Sequence, residues 1–443
     1  MADNTPSLIS LAKAISESAN ALASKLEQEG SPAPSFAEDG LVDYPKNPEI
    51  LGIRMQLLDA AADMYRLALG PTDTSFLGPL FLNYDATIMD ILNQFDFWSA
   101  VPLGGSATYG EIAKTVNLPE NLVRRVLRYA IAIRIFASAP GAPDSVVHTS
   151  LSAAPAKQHL LRSWLRHNFE EARPGAVHIP EAFKKFDFGN EGSSEEPLES
   201  GFALANVDRL DKPESFWDYL NRDVEGKPKG WRASKFAESM QAAAASSAIK
   251  TEDSLKTGYD WSALGEATVV DIGGSSGHDA VHLVKTFPNL KIVVQDLPEV
   301  QAAFNQKLPA ELQSRISFET RDFFSPQKTH GAVYMLKMIL HDWPDKYAAK
   351  ILATLLPHLE SGSRVLLFEA VAPPDTAALP FATLGRMLSA ADLQMLCAFN
   401  SLERSVDDWK ALLGKVDKRL EITYVSNLPG SLHNFVEIKL NDS

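Results

Sequence analysis

Val269-Val270-Asp271-Ile272-Gly273-Gly274-Ser275-Ser276-Gly277-His278 is the stretch on which the reading of the chain turns. An apolar run enters a glycine-rich turn, and a helix signal follows over residues 279–286. Glycine lets backbone approach a ligand closely, and a helix start offers free N–H groups. The spacing is not Gly-x-Gly-x-x-Gly, so a dinucleotide fingerprint is one reading of the turn and a purely structural bend is another.

Working outward, residues 268–272, 291–295, 316–320, 332–336 and 364–368 are strand-like, with helical stretches between them. That alternation predicts a parallel sheet covered by helices on both faces. Residues 422–425 and 435–440, separated by Pro429-Gly430, predict a closing antiparallel pair. The sum is an α/β domain with a Rossmann-like, mostly parallel seven-stranded sheet whose last strand is antiparallel.

Upstream the pattern is helical. Leu8, Leu11, Ile15, Leu22 and Leu26 share one helix face, with Ser7 as its cap and Gly30 as its stop. Such a helix is marginal in water unless its apolar face is covered. Residues 31–35 read as a linker, and a second helix spans 48–69 up to Gly70-Pro71. Residues 84–149 have the grammar of a winged helix. One helix carries Ile88, Ile91, Leu92 and Phe95; a second spans 106–116 and a third 119–132, with Leu122, Val126, Leu127 and Ala130 inward; residues 134–137 are extended. Residues 181–199 read as an exposed loop between domains, and roughly 215–247 as a long helical region. The division predicted is an N-terminal helical, winged-helix-like domain over 1–180 and an α/β domain over 181–443.

Composition narrows the function classes. The 443 residues are 45% hydrophobic, enough for two domains with sizeable cores. A net charge of -14 disfavours wholesale binding to phosphate backbones. A single cysteine, Cys397, rules out an intrachain disulfide and fits a reducing compartment; it reads as a small buried apolar residue. Residues 1–7 lack the features of a signal peptide, and no apolar run reaches the roughly 18 residues that span a bilayer. The expectation is a cytoplasmic protein that binds neither membrane nor nucleic acid.

The strand ends carry the chemistry. Gln295-Asp296-Leu297-Pro298 puts an acid after the second strand, where it can accept from two ribose hydroxyls. Arg321-Asp322-Phe323-Phe324 puts an acid and an aromatic after the third, suited to an adenine amino group and ring. Together these move the glycine turn toward an adenosyl cofactor. The fourth strand runs into Leu336-Lys337-Met338-Ile339-Leu340-His341-Asp342-Trp343-Pro344-Asp345, which places His341 at the ligand-binding edge of an open α/β sheet. Glu369 ends the fifth strand, and Glu403 precedes a helix with Trp409, Leu412 and Leu413. A histidine flanked by carboxylates suits a general base held in one tautomer. No His/Asp/Glu grouping has the spacing of a metal site.

These segments resemble the S-adenosylmethionine-dependent O-methyltransferases of the caffeic-acid type, found in plants and in fungal secondary metabolism. The resemblance runs from about residue 81 to the C-terminus and includes Glu403-Arg404-Ser405. It implies that Asp271, Gly273 and Gly274 line the methionine end of S-adenosylmethionine. Asp296 and Leu297 would take the ribose, and Asp322 and Phe323 the adenine. Lys337 and Trp343 would border the pocket. His341 would be the base, oriented by Glu369 and Glu403. Met240, Met338, Met395 and Asn400 would wall the acceptor pocket. The N-terminal domain would make a homodimer and contribute to the partner's acceptor pocket. The implied reaction is methyl transfer to a hydroxyl of a flat aromatic or polyketide-like molecule.

Two rivals stand beside it. Some fungal relatives of this family are pericyclases acting on pyridone-type intermediates without methyl transfer, with the strand-four cation, here Lys337, donating to a substrate carbonyl. A DNA-binding regulator is suggested by Arg124, Arg125, Arg128 and Arg134 in the winged-helix pattern, against the acidic charge of the chain.

Overall fold

Ser7 caps the first helix as its sequence predicts: its hydroxyl accepts from the Ser10 N–H, and the Ser10 side chain answers at the cap backbone. The computed structural model describes residues 5–210, 212–245, 251–359, 362–373, 375, 379–428 and 433–441. Two units interleave along the chain. One comprises Met1–Arg173, Leu220–Ser247 and Pro380–Leu384; the other comprises Pro174–Tyr219, Ala248–Leu379 and Gly385–Ser443. Their borders do not coincide with a single division after residue 180.

In the first unit, helix Leu8–Gln28 buries Leu22 and Leu26 against Ile50. The next helical run, Pro48–Gln94, is broken at Gly70, whose φ of 74° and ψ of 165° are not helical. The second half of that run starts at Pro71, earlier than the expected start near 84. Residues 106–108 form a strand, not the start of a helix, because Thr108 caps helix Tyr109–Val116 and pairs with Glu111 in a capping box. Strands β1 (Ser106–Thr108), β2 (Phe136–Ala139) and β3 (Ala142–His148) make an antiparallel sheet in the order β1-β3-β2. Helix Glu120–Ala132 turns Val123, Leu127 and Ala130 inward. Leu122, expected inside, is 41% exposed because it lies one position off that face.

The second unit holds the predicted sheet. Its strands are β4 (Ala267–Ile272), β5 (Leu290–Asp296), β6 (Ile316–Thr320), β7 (Val333–Lys337), β8 (Arg364–Ala370), β9 (Leu420–Val425) and β10 (His433–Leu440). The order is β6-β5-β4-β7-β8-β10-β9, with β10 antiparallel to both its neighbours. Pro429-Gly430, between the last two strands, lies outside the described residues. Val270, Ile272, Tyr334, Leu336, Val365 and Leu367 pack on one face; Val269, Val333, Met335, Leu366 and Phe368 pack on the other. That period of two with both faces buried is what a sheet covered by helices demands. Each such side chain contributes about 1.5–3 kcal/mol of burial. β4 pairs with β5 on one side and β7 on the other, so the order reverses there and a crevice opens at the carboxyl ends.

Two expectations fail in this part of the chain, the second only in part. Residues 215–247 are not one helix: Phe216–Asn221 and Trp231–Ala245 are separate, with Gly226 and Gly230 at positive φ between them. Residues 181–199 are an exposed loop only in part: 188–193 carry no helix or strand and are exposed, whereas the two ends are ordered. Helix Arg173–Ala182 continues into a π turn at Phe183–Asp187, and Glu196 then binds Lys346 and the Tyr347 hydroxyl.

Candidate functional site

Register brings the strand ends to one edge. Ile272 pairs with Leu336, and Leu336 with Leu367, so Gly273, Lys337 and Glu369 come to the same edge of the sheet. Gly273 has φ 74°, and a Cβ there would come within 2.5 Å of Ile339 Cδ1. Only glycine fits this turn without displacing the segment that leads to His341. Asp271, at the end of β4, is buried; its Oδ2 has no hydrogen-bond partner, and burial together with the Asp279 charge pushes its pKa up to about 8. Asp296 Oδ2 accepts from the Ser275 N–H at 2.8 Å, and Oδ1 from the Leu297 N–H at 2.7 Å. Each oxygen thereby keeps acceptor capacity for a hydroxyl. Leu297 itself is exposed.

Asp322 Oδ1 accepts from the Phe324 N–H at 2.9 Å, which fixes the turn after β6. Phe323 and Phe324 meet the Trp343 ring edge-on, with centroids 5.8 and 4.9 Å away. An aromatic wall, a strand-end carboxylate and an orphaned buried carboxylate oxygen fit a cofactor carrying adenine, ribose and a charged amino-acid group. Lys337, expected to border this pocket, contacts both carboxylate oxygens of Asp279 with its Nζ, at 2.8 and 2.7 Å. Asp279 lies in the first turn of helix His278–Thr286, and sequence reasoning missed it. Its signal was an acid directly after the glycine turn, 58 residues away from its cation.

The His341 turn is held from three directions. His341 is buried, and its Nδ1 lies 2.9 Å from Glu403 Oε1. Asp342 Oδ1 is 3.6 Å from Nε2. Burial alone would push the imidazole pKa down, but the charges of Asp342, Glu403 and Glu369 outweigh it and hold the pKa at about 10. Glu369 does not orient the ring as expected. Its Oε1 accepts from the Ile339 and Leu340 N–H groups at 3.0 and 2.8 Å, so it fixes the backbone before His341 and reaches the ring through charge alone. Burial raises the Glu369 pKa to about 7 and that of Asp342 to about 6. His433, buried on β10, is pushed down to about 4 by burial and by the neighbouring His341 charge.

Met338 and Asn400 sit at φ 54°, and Ser275 at φ 51°. Non-glycine residues rarely adopt that region, and all three lie where loops leave the carboxyl edge or its flanking helix. Asn400 Nδ2 donates to the Glu196 carbonyl at 2.9 Å, and Met395 belongs to helix Ala382–Phe399. Met240 lies on helix Trp231–Ala245 of the other unit. Trp217, unmarked in the sequence, stacks on Phe399 at 5.4 Å and on Trp343 at 6.4 Å; its indole N–H is buried without a hydrogen-bond partner. Cys397 is buried, with a thiol that burial raises to about 12, as a structural residue should be. Among the described residues no cluster of three His, Cys, Asp or Glu side chains could hold a metal.

Comparison with known proteins gives this geometry a family. Residues 229–417 match the model of the O-methyltransferase domain. The O-methyltransferase lcsG of Purpureocillium lilacinum is 34% identical over 92% of this chain and 88% of its own. The O-methyltransferase PaMT of Phomopsis amygdali is 31% identical over 99% and 97%. The chain belongs to the S-adenosylmethionine-dependent O-methyltransferases. It is a methyltransferase enzyme, and the donor its family uses matches the adenosyl fit of the crevice. The O-methyltransferase fold also relates it to OxaC, solved with SAH and oxaline, at TM-score 0.74 and 20% identity over 98% of this chain and 99% of that one. A structure described as a pericyclic reaction enzyme matches at TM-score 0.70 and 21% identity over 98% and 100%. At those identities the likeness is one of fold.

Proposed function

We propose that this O-methyltransferase methylates a hydroxyl of an aromatic or polyketide-type secondary metabolite, with His341 as general base. The observation that carries the base role is the 2.9 Å contact from His341 Nδ1 to Glu403, inside a buried cluster at the carboxyl edge. In the neutral ring, the form that grows as pH rises toward the His341 pKa of about 10, a proton held on Nδ1 leaves Nε2 as the acceptor of a substrate proton, and Glu403 stabilises the imidazolium that forms. In this reading Asp271, Gly273, Gly274, Asp296 and Leu297 hold the methionine and ribose parts of the donor, and Asp322, Phe323 and Trp343 its adenine. When bound, S-adenosylmethionine supplies an electrophilic methyl group. The protein's share is to hold the acceptor oxygen near attack distance and take its proton. The bulk of Met338, Met395 and Trp217 favours a flat apolar acceptor.

Lys337 bears on the pericyclase alternative. Its ammonium is committed to Asp279, which weakens the cation as a donor to a substrate carbonyl and favours transfer. Dimerisation through the N-terminal region is part of the same proposal. It is supported by Phe76 and Leu82, 76% and 68% exposed on the helix after Gly70. A winged-helix role as scaffold is supported by Arg124, which is paired with Glu120 and Asp144 rather than presented to DNA. A cytoplasmic location follows the sequence reading; among the described residues no helix is long and apolar enough to cross a membrane.

The test is incubation with methyl-labelled donor and a panel of phenolic and polyketide acceptors. Label in a product heavier by one methylene supports the proposal. A rearranged product of unchanged mass would establish the pericyclase reading instead.

A further inference from the structure

Glu403 and Arg404 are neighbours in sequence and reach the same turn in different ways. Arg404 is fully buried. Its Nη1 donates to the Leu340 carbonyl at 2.8 Å, its Nη2 to the Trp343 carbonyl at 2.8 Å, and its Nε to Asp345 Oδ1 at 3.0 Å. The two carbonyls bracket the 3-10 turn Leu340–Asp342 that carries His341. The Trp409 ring lies under the guanidinium at 5.0 Å. Behind the pair, Asp392 Oδ1 accepts the Glu403 N–H at 2.8 Å, and the Arg404 carbonyl accepts the Ala372 N–H at 3.1 Å. The turn is thus closed on its N-terminal side by Glu369, which takes the Ile339 and Leu340 N–H groups, and on its C-terminal side by Arg404.

We propose that Arg404 is a positioning residue: by gripping the carbonyls on both sides of His341 it sets the distance between the imidazole and Glu403. A planar fork of five donors can hold two carbonyls and a carboxylate at once, whereas an ammonium cannot reproduce that geometry. Burying a guanidinium is costly unless its donors are matched, and matching these to backbone ties the 400–405 segment rigidly to the turn. A slip of about 1 Å in such a support is worth roughly 100-fold in rate. The groups facing His341 are Asp342 on its own turn, Glu369 on β8, Glu403 on the segment between helices Ala382–Phe399 and Val406–Val416, and His433 on β10. Glu403 is the one among them whose bond to Nδ1 depends on the grip of its neighbour.

This inference rests on the base reading for its effect on rate, but its test does not. The variant is Arg404→Lys, which keeps the positive charge so that direct electrostatics on His341 change little. With carbon-13-labelled histidine, the His341 signal is assigned by its absence in His341→Ala and titrated in both proteins. The expected result is a His341 pKa lower by about one unit, because the Glu403 contact loosens. Turnover should fall roughly 100-fold while the KM for S-adenosylmethionine stays within about two-fold. An unchanged His341 pKa overturns the proposal, whether turnover persists or falls together with donor affinity and thermal stability. If Arg404→Lys does not fold, Trp409→Phe removes part of the surface under the guanidinium without changing charge. A smaller downward shift at His341 is then expected, and no shift overturns the proposal. Should His341→Ala retain turnover, the base reading fails, and the titration still decides the role of Arg404.

Discussion

The two halves of the carboxyl edge are built on different principles. On the β4-β5-β6 side, each contact is short in sequence or follows from strand order: Asp296 bonds Ser275 and Leu297, and Asp322 bonds Phe324. On the β7-β8 side, the His341 turn is held by residues 29 to 64 positions away, Glu369, Glu403 and Arg404. The first half needs a glycine turn and well-placed acids; the second needs three loops to arrive together. In the proposed reading the first binds the cofactor and the second supplies the proton chemistry. Damage to one should therefore leave the other measurable.

The largest separation is expected from Asp296→Ala. If Asp296 takes the ribose as proposed, losing two charge-assisted hydrogen bonds, worth about 1.5–3 kcal/mol each, should weaken S-adenosylhomocysteine binding 100-fold or more by calorimetry. The His341 titration should not move. If it does, the halves are coupled and the comparison breaks. Asp279→Ala attacks the ion pair that joins the halves. Lys337 and Asp279 are each about nine-tenths buried, so removing one partner should cost about 3–5 kcal/mol of unfolding free energy in a denaturant titration. Stability within 1 kcal/mol of the native protein would show that the pair is solvated.

A smaller effect belongs to pH. The raised His341 pKa keeps its proton at neutrality, so the base form, and with it kcat/KM, should rise as pH climbs into the alkaline range. Asp342→Asn removes the charge that raises this pKa most and should move the rising limb to lower pH by about one unit. A limb that stays in place would mean that another group titrates. The smallest change is expected from Trp217→Phe. It removes a buried N–H that has no partner, so stability should shift by less than about 1 kcal/mol. The KM for the acceptor should rise while that for the donor does not.

The same contrast explains what could be read in the sequence. All seven strands of the large sheet were legible: β4, β7 and β8 as apolar runs buried on both faces, and the half-exposed edge strands β6 and β9 as shorter apolar stretches. Asp296 and Asp322 were legible because strand ends and a fixed spacing give them away. Asp279 and Arg404 were not, since an acid after a glycine turn and an arginine before a helix look like ordinary surface charges until their partners 58 and 64 residues away are seen. Glu369 was found but given the wrong contact: sequence shows a carboxylate at the edge, not that two backbone N–H groups compete for it. Pattern also misjudged 215–247, where the polar stretch 222–230, with Pro228 and two glycines at positive φ, separates two helices. Leu122 failed for a related reason, because a one-residue slip in a helix moves a side chain by about 100°.

The central claim is that His341 takes the acceptor's proton while the rest of the edge holds the donor. The most direct measurement compares the native protein with His341→Ala at saturating S-adenosylmethionine, following methyl label into an acceptor and donor affinity by calorimetry. Transfer should fall by about 100- to 10,000-fold, with donor affinity within about two-fold of native. A His341→Ala protein that still transfers label at a rate near native would contradict it.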